Sequence, residues 1–280
     1  MTNSFKIATH TFDVGVSYSS VADFKNHLLG KITASLDAGA NIVLFPEYTG
    51  YAVTKIPTLK TKEAMAKLIW TEIFPDVMNL SKNYDALICA GTAPNLHRDS
   101  GKYRNRAILA ASGKSIESYK RCLTPWEGDF EPGPQTCMFE WKNHKFANLI
   151  CFDIEFPEIA GELKRFGPHF ILVPSATADQ MGVERVARCA SARAVELGSI
   201  VIVSALVGIN EGNPLVEENL GKCSFYFPAQ EVYQNQFAIH SPLYTTGDQS
   251  LMHTVDLSLL SKVKRMDSET KPFLKSLNTF

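Results

Sequence analysis

No two of the six cysteines, Cys89, Cys122, Cys137, Cys151, Cys189 and Cys223, lie within five residues of each other. That spacing excludes a CxxC zinc or redox motif, and in a reducing compartment the thiols stay free. The seven histidines are scattered without ligand spacing, so no metal is expected, and none sits in a recognisable protease signature. There is no long Lys/Arg run, and a formal net charge of -1 exerts no pull on nucleic acid or an anionic membrane. No apolar stretch approaches the roughly 18 residues that a membrane helix needs. The opening Met1-Thr-Asn-Ser-Phe-Lys-Ile7 lacks the charged and apolar regions of a signal peptide. The expectation is a cytoplasmic protein without nucleic-acid or membrane partners.

What the chain does have is apolar content: 45% of 280 residues, enough to bury a sizeable core. No repeat, low-complexity block or linker divides it, so a single domain over 1–260 is expected, followed by a tail over 261–280 able to form an interface. β-rich runs alternate with amphipathic segments. Residues 5–12 read as a strand, and 21–38 as a helix with Phe24, Leu28, Ile32 and Leu36 on one face and Ser19 or Ser20 as cap. Strand 41–46 precedes a helical stretch over 61–83 that Pro75 should kink or divide. Strand 86–93 and a hairpin of 103–111 with 115–119, turning at Ser112-Gly113-Lys114, come next. Strand 146–151, helix 157–166, strand 170–174, helix 183–197 and strand 200–205 follow. Runs 221–227, 232–238 and 251–255 complete the β signal. The pattern is α/β with mixed sheets covered by helices.

Three chemically useful groups sit at strand ends. Phe146-Ala-Asn-Leu-Ile-Cys151 delivers a thiol and then turns into Phe152-Asp-Ile-Glu-Phe-Pro-Glu158. Asn41-Ile-Val-Leu-Phe-Pro46 ends in Glu47, and Lys114-Ser-Ile-Glu-Ser-Tyr119 ends in Lys120. A free thiol titrates near roughly 8.5, so Cys151 needs activation by a cation, a helix start or a base. Glu47 can take the thiol proton and pass it to a leaving amine. Lys120 and the backbone N–H of Cys151 or Phe152 can hold an oxyanion.

The flanks of these groups resemble the nitrilase (carbon–nitrogen hydrolase) superfamily. The similarity rests on Phe45-Pro-Glu47-Tyr48, on Tyr119-Lys120-Arg-Cys-Leu-Thr-Pro-Trp-Glu127 leading to Phe130-Glu-Pro-Gly133, and on Leu149-Ile-Cys151-Phe152-Asp153-Ile-Glu-Phe-Pro157-Glu158. Asn105-Arg-Ala-Ile-Leu, Leu172-Val-Pro-Ser-Ala176 and Arg193-Ala-Val-Glu196 add supporting matches. The resemblance implies an αββα sandwich of two mixed β-sheets flanked by helices. It also implies a catalytic Glu47, Lys120 and Cys151, a thioester intermediate, no metal or other cofactor, and a homo-oligomer, dimer or larger. Glu127 matches a second glutamate that either orients Lys120 or makes a structural ion pair.

Candidate substrate contacts are Tyr48, Trp126, Phe130 and Glu155. Tyr48 contacts substrate or shapes the turn, while Trp126 and Phe130 wall the pocket or pack in core or interface. Glu155 stands where some branches carry Arg, so it either disfavours an anionic substrate or bridges to a neighbour such as Arg121 or Lys164. Cys122 stands where many members have His, and becomes a second reactive thiol only if it lines the pocket. The leading function is hydrolysis of a linear non-peptide amide, or of an N-carbamoyl compound. Nitrile hydrolysis, acyl transfer to a small amine and a non-catalytic interaction role remain as alternatives.

Overall fold

The computed structural model describes residues 4–265. Strand β1 (Ser4–Asp13) leads to helix α1 (Val21–Asp37), capped by the Ser20 side chain accepting from the Asp23 N–H. Strand β2 (Ile42–Phe45) precedes helices α2 (Lys62–Leu68) and α3 (Phe74–Asn83), joined by a π-turn at Ile69–Ile73. Pro75 explains that turn: its ring excludes the carbonyl four residues back, and one widened turn absorbs the clash. Strands β3 (Leu87–His97), β4 (Lys102–Ala111) and β5 (Lys114–Ser115) form a meander. A second block follows: β6 (Cys137–Trp141), β7 (His144–Asn148), α4 (Pro157–Phe166), β8 (Phe170–Ser175), α5 (Gln180–Leu197) and β9 (Ile200–Ile209). Short strands β10 (Glu218–Asn219), β11 (Ser224–Tyr226) and β12 (Ala238–His240), then β13 (Ser250–Asp256) and helix α6 (Leu257–Arg265), complete the described chain.

The strands run β5-β4-β3-β2-β1-β9-β8-β7-β6, with parallel pairs at the centre and antiparallel ones at the edges. Strand β1 belongs to both halves: Ile7–Thr9 pairs with β2, and Thr11–Asp13 pairs with β9. The sheet folds over along this strand. Phe5, Ile7, Ile42, Leu44 and Leu109 from one half share a buried cluster with Phe146, Phe170, Leu172 and Ile202 from the other. The outer face of the first half, through Val43, Phe45, Ile88 and Ile108, packs under α1, α2 and α3. Helices α4 and α5 bury Ile159, Leu163, Val186 and Ala190 on the second half. This is the αββα sandwich of mixed sheets, its two layers made continuous by β1.

Three local readings differ. The strand expected over 232–238 is a 3-10 turn at Glu231–Tyr233, and pairing resumes only at β12. The β6–β7 hairpin has no counterpart in the sequence reading, because its turn is Lys142-Asn143 rather than a glycine pair; both residues take positive φ. The run 115–119 stays regular only to Ser115, although Ile116, Ser118 and Lys120 still exchange backbone hydrogen bonds with β4. Helix α6 runs across residue 260, and most of the tail expected over 261–280 lies outside the described residues. Among the described residues no helix is long and apolar enough to cross a membrane.

Candidate active site

Glu47 is carried by the end of β2, whose four residues are all buried. Strand β3 bulges between Cys89 and Thr92 and passes close beneath the Glu47 turn. Gly91 makes that approach possible: its φ is +88°, and a Cβ there would lie 2.4 Å from the Pro46 carbonyl oxygen. The turn is fixed by the Tyr48 N–H donating to Thr92 Oγ1 at 2.8 Å, with Tyr48 itself at φ 60°. Lys120 is held by its backbone: its N–H donates to the Asn105 carbonyl at 2.9 Å, and its carbonyl accepts from Gly133 N–H at 2.7 Å.

Cys151 opens a 3-10 turn at Cys151–Glu155, in the left-handed region at φ 48°. Among the described residues, the other non-glycine residues with positive φ, apart from Tyr48, occupy ordinary turns. Two strained residues beside one cavity are the pattern expected of a functional site. Asp153 stabilises this turn by accepting from the Ile150 N–H at 3.0 Å. Its other oxygen accepts from the N–H groups of Arg121 at 3.1 Å and Cys122 at 2.7 Å, tying the cysteine turn to the lysine segment. Neither spacing nor composition signals that link; the carboxylate alone hints at it.

The side chains of Glu47, Lys120 and Glu127 are 1%, 2% and 0% exposed, so their charges must be satisfied by one another. The Lys120 ammonium donates to Glu47 Oε1 and to Glu127 Oε2, each at 2.8 Å. Glu127 Oε2 also accepts from the N–H and hydroxyl of Thr124, both at 2.8 Å, and Glu127 Oε1 accepts from the Tyr48 hydroxyl. Glu47 receives one further donor, Asn105 Nδ2 at 2.9 Å, and interacts with the Cys151 side chain. Asn105, quoted above only as a supporting match, thus bonds Glu47 directly.

These unequal surroundings separate the two carboxylates. Burial pushes Glu47 up to about 7, even against the pull of Lys120. Burial works in the same direction on Glu127, but Lys120, Tyr48 and Thr124 outweigh it and hold that carboxyl below its ordinary value. Burial alone would lower the Lys120 ammonium; Glu47 and Glu127 override it and raise it. Burial and then the Glu47 carboxylate push the Cys151 thiol up to about 12, so the resting group is a thiol. The expected cationic activation by Lys120 acts on Cys151 but does not win. Ser175 Oγ donates to Cys151 Sγ, which in turn faces the Ala176 carbonyl oxygen, both at 3.3 Å.

Glu47, Tyr48, Lys120, Cys151 and Phe152 line one cavity of about 100 Å³. Trp126 and Glu155 line it too, as do Thr124, Asp179, Arg185 and Leu215, which the sequence reading did not single out. Phe130 does not: it is buried in the outer core with the Lys62 ammonium 4.3 Å above its ring. Glu155 pairs with Arg185 at 3.3 Å, not with Arg121 or Lys164; Arg121 is engaged by Glu162 at 2.7 Å. Cys122 also lies off the cavity, and burial pushes its thiol up to about 12. Arg193 and Glu196 pair at 2.8 Å along α5. Among the described residues no group of three or more His, Cys, Asp or Glu side chains could hold a metal ion.

Residues 16–270 match the profile of the carbon-nitrogen hydrolase family. The chain is 30% identical over 197 residues to the probable hydrolase YhcX of Bacillus subtilis (strain 168), a stretch that is 68% of this chain and 38% of that protein. It is 27% identical over 192 residues to the deaminated glutathione amidase of Synechocystis sp. (strain PCC 6803 / GT-S), covering 63% of this chain and 69% of the relative. The fold is similar to Saccharomyces cerevisiae Nit3, a member of branch 10 of the nitrilase superfamily, with a TM-score of 0.70 at 19% identity and 96% of both chains covered. It is similar too to a carbon-nitrogen hydrolase from Helicobacter pylori G27, with a TM-score of 0.73 at 15% identity, covering 98% of this chain and 94% of that one. With the profile spanning most of its length, the chain belongs to the carbon-nitrogen hydrolase family.

Proposed function

We propose that the protein hydrolyses an amide C–N bond through a thioester on Cys151, with Glu47 as proton carrier and Lys120 as electrostatic stabiliser. The observation that carries this reading is one ammonium shared by two buried carboxylates of unequal proton affinity, on the same cavity as a thiol. Groups whose environments push their proton affinities apart divide the acid–base work. Glu127 keeps its charge and positions Lys120. Glu47, raised to about 7, accepts a proton and gives it back near neutral pH.

In acylation, the Cys151 S–H proton passes to Glu47 as sulfur bonds to the carbonyl carbon, and the C=O π pair moves onto oxygen. The N–H groups of Cys151 and Phe152 open a helical turn, where first-turn donors have no partner within the turn. They and Lys120 hold the oxyanion; a donor of this kind is worth on the order of 10²–10³ in rate. Protonated Glu47 then donates to the leaving nitrogen, the C–N bond breaks and the thioester remains. Glu47 next takes a proton from water as its oxygen attacks the thioester. Collapse releases the acid, and the departing sulfur recovers the proton from Glu47. An amide in place of a nitrile is supported by the amidase name of the Synechocystis relative.

The test is ammonia release from a panel of primary amides, N-carbamoyl acids and nitriles by the wild type and by Cys151→Ala. Turnover of an amide that vanishes in the variant supports the reading. Turnover retained by the variant sinks it.

A further inference from the structure

The reacting cavity, at about 100 Å³, is smaller than the several hundred Å³ usual for small-molecule sites. Beside it lies an open groove of about 510 Å³. Trp126 and Leu215 line both, so the two spaces meet across them. Trp126 is 62% exposed, a large aromatic left facing the junction. The wall between the spaces is a tyrosine pair: Tyr48, which lines the cavity, packs edge to face against Tyr51, which lines the groove, with centroids 5.1 Å apart.

The groove floor is polar yet balanced. Lys60 and Lys62 stand against Asp129 and Glu211, and Lys62 is already paired with Asp129. Asn210, Asn213 and Thr54 contribute neutral hydrogen-bonding groups, with Asn210 Nδ2 donating to Thr54 Oγ1 at 2.9 Å. Tyr51 is 3% exposed, and its hydroxyl has no hydrogen-bond partner among the described residues. A buried hydroxyl without a protein partner is uncommon and leaves room for a group supplied from outside, water or ligand.

We infer that the substrate is an extended amide: its scissile bond reacts at Cys151, its chain crosses Trp126, and an uncharged hydrogen-bonding far end sits in the groove. This rests on the hydrolase reading above. A short aliphatic amide fills only the reacting cavity and forgoes the groove. Charge does little of the selecting, because the lining is balanced; length and hydrogen bonding do most of it.

The experiment measures kcat/KM along two series of diamides ending in a neutral N-methylamide, one extending the acyl side and one the amine side. Propionamide serves as the short reference, and octanamide as an equally long chain without a polar end. The expected result is a rise on the order of tenfold or more in one diamide series, as about one good hydrogen bond would give, with octanamide well below it. Asn213→Ala and Trp126→Ala should each lower the ratio of long-diamide to propionamide kcat/KM by a similar factor. Two variants, checked by their melting curves, guard against a folding defect. A flat response to length in both series, octanamide matching the diamides, or an unchanged ratio in both variants overturns the inference. If propionamide still acylates Cys151 in that case, the hydrolase reading stands while this one falls. If no compound acylates Cys151, both fall.

Discussion

Replacing Glu127 with Gln tests the division of labour between the two glutamates. Three donors, Lys120 Nζ and the N–H and hydroxyl of Thr124, converge on Glu127 Oε2, and the Tyr48 hydroxyl faces Oε1. A glutamine carbonyl can take the position of Oε2, leaving its NH₂ toward the Tyr48 hydroxyl, which can turn to accept. The shape and hydrogen bonds are therefore kept, and Lys120 still has Glu47 as counter-charge. What changes is one negative charge. Both carboxylates sit 2.8 Å from the same ammonium, which puts their nearest oxygens roughly 5 Å apart. At an effective dielectric of about 20 their repulsion is about 3 kcal/mol, or about two pH units at Glu47. In the wild type, kcat/KM should fall as pH drops through about 7, because protonated Glu47 cannot accept the thiol proton. In Glu127→Gln, Glu47 loses its like-charged neighbour and keeps Lys120 to itself, so that limb moves to lower pH. The plateau should drop on the order of 10²–10³, because a weaker base faces an ammonium drawn toward it. The assay is the pH profile of ammonia release, backed by the pH dependence of Cys151 alkylation, which needs no turnover. A limb that stays in place or moves up refutes the argument.

Cys151→Ala should abolish turnover while leaving the melting curve close to wild type, since the lost atom is a single sulfur. Glu47→Gln should block acylation and remove the limb near pH 7 from the alkylation profile; a normal rate contradicts its role as proton carrier. Asp153→Ala strips three backbone N–H groups of their acceptor. At about 1–3 kcal/mol for each buried donor left unmet, the melting temperature should fall by several degrees or more and turnover with it. An unchanged melt would show that water replaces the carboxylate. Dialysis against a chelator should leave activity intact, and a loss restored by metal would overturn the mechanism.

Part of this was legible because the candidate residues close β-like runs in the sequence, although β5 ends at Ser115 and β7 at Asn148, short of Lys120 and Cys151. Glu47, Lys120 and Cys151 are of this kind, and the amphipathic period of α1 and the Pro157 start of α4 were equally plain. The links between segments were not. Asp153 reaches from the cysteine turn to Arg121 and Cys122, and Asn105 reaches Glu47 from the middle of β4; beyond the Asp153 carboxylate itself, nothing local in the sequence marks either. In the sequence Glu155 either disfavours an anionic substrate or bridges to a neighbour such as Arg121 or Lys164, and only packing of α5 against its turn selects Arg185. The Lys142-Asn143 hairpin escaped because Asn143, a residue that tolerates positive φ, is paired with Lys142, which does not signal it, and no glycine follows. Phe130 was open to walling the site or packing in core or interface, and its ring packs in the core.

The measurement closest to the central claim is intact-protein mass spectrometry during turnover of an amide, with peptide mapping of any adduct. An acyl group found on Cys151, absent from Cys151→Ala and decaying as acid appears, is the predicted result. Steady release of acid and ammonia by a protein that never carries an acyl group on Cys151 would contradict the account.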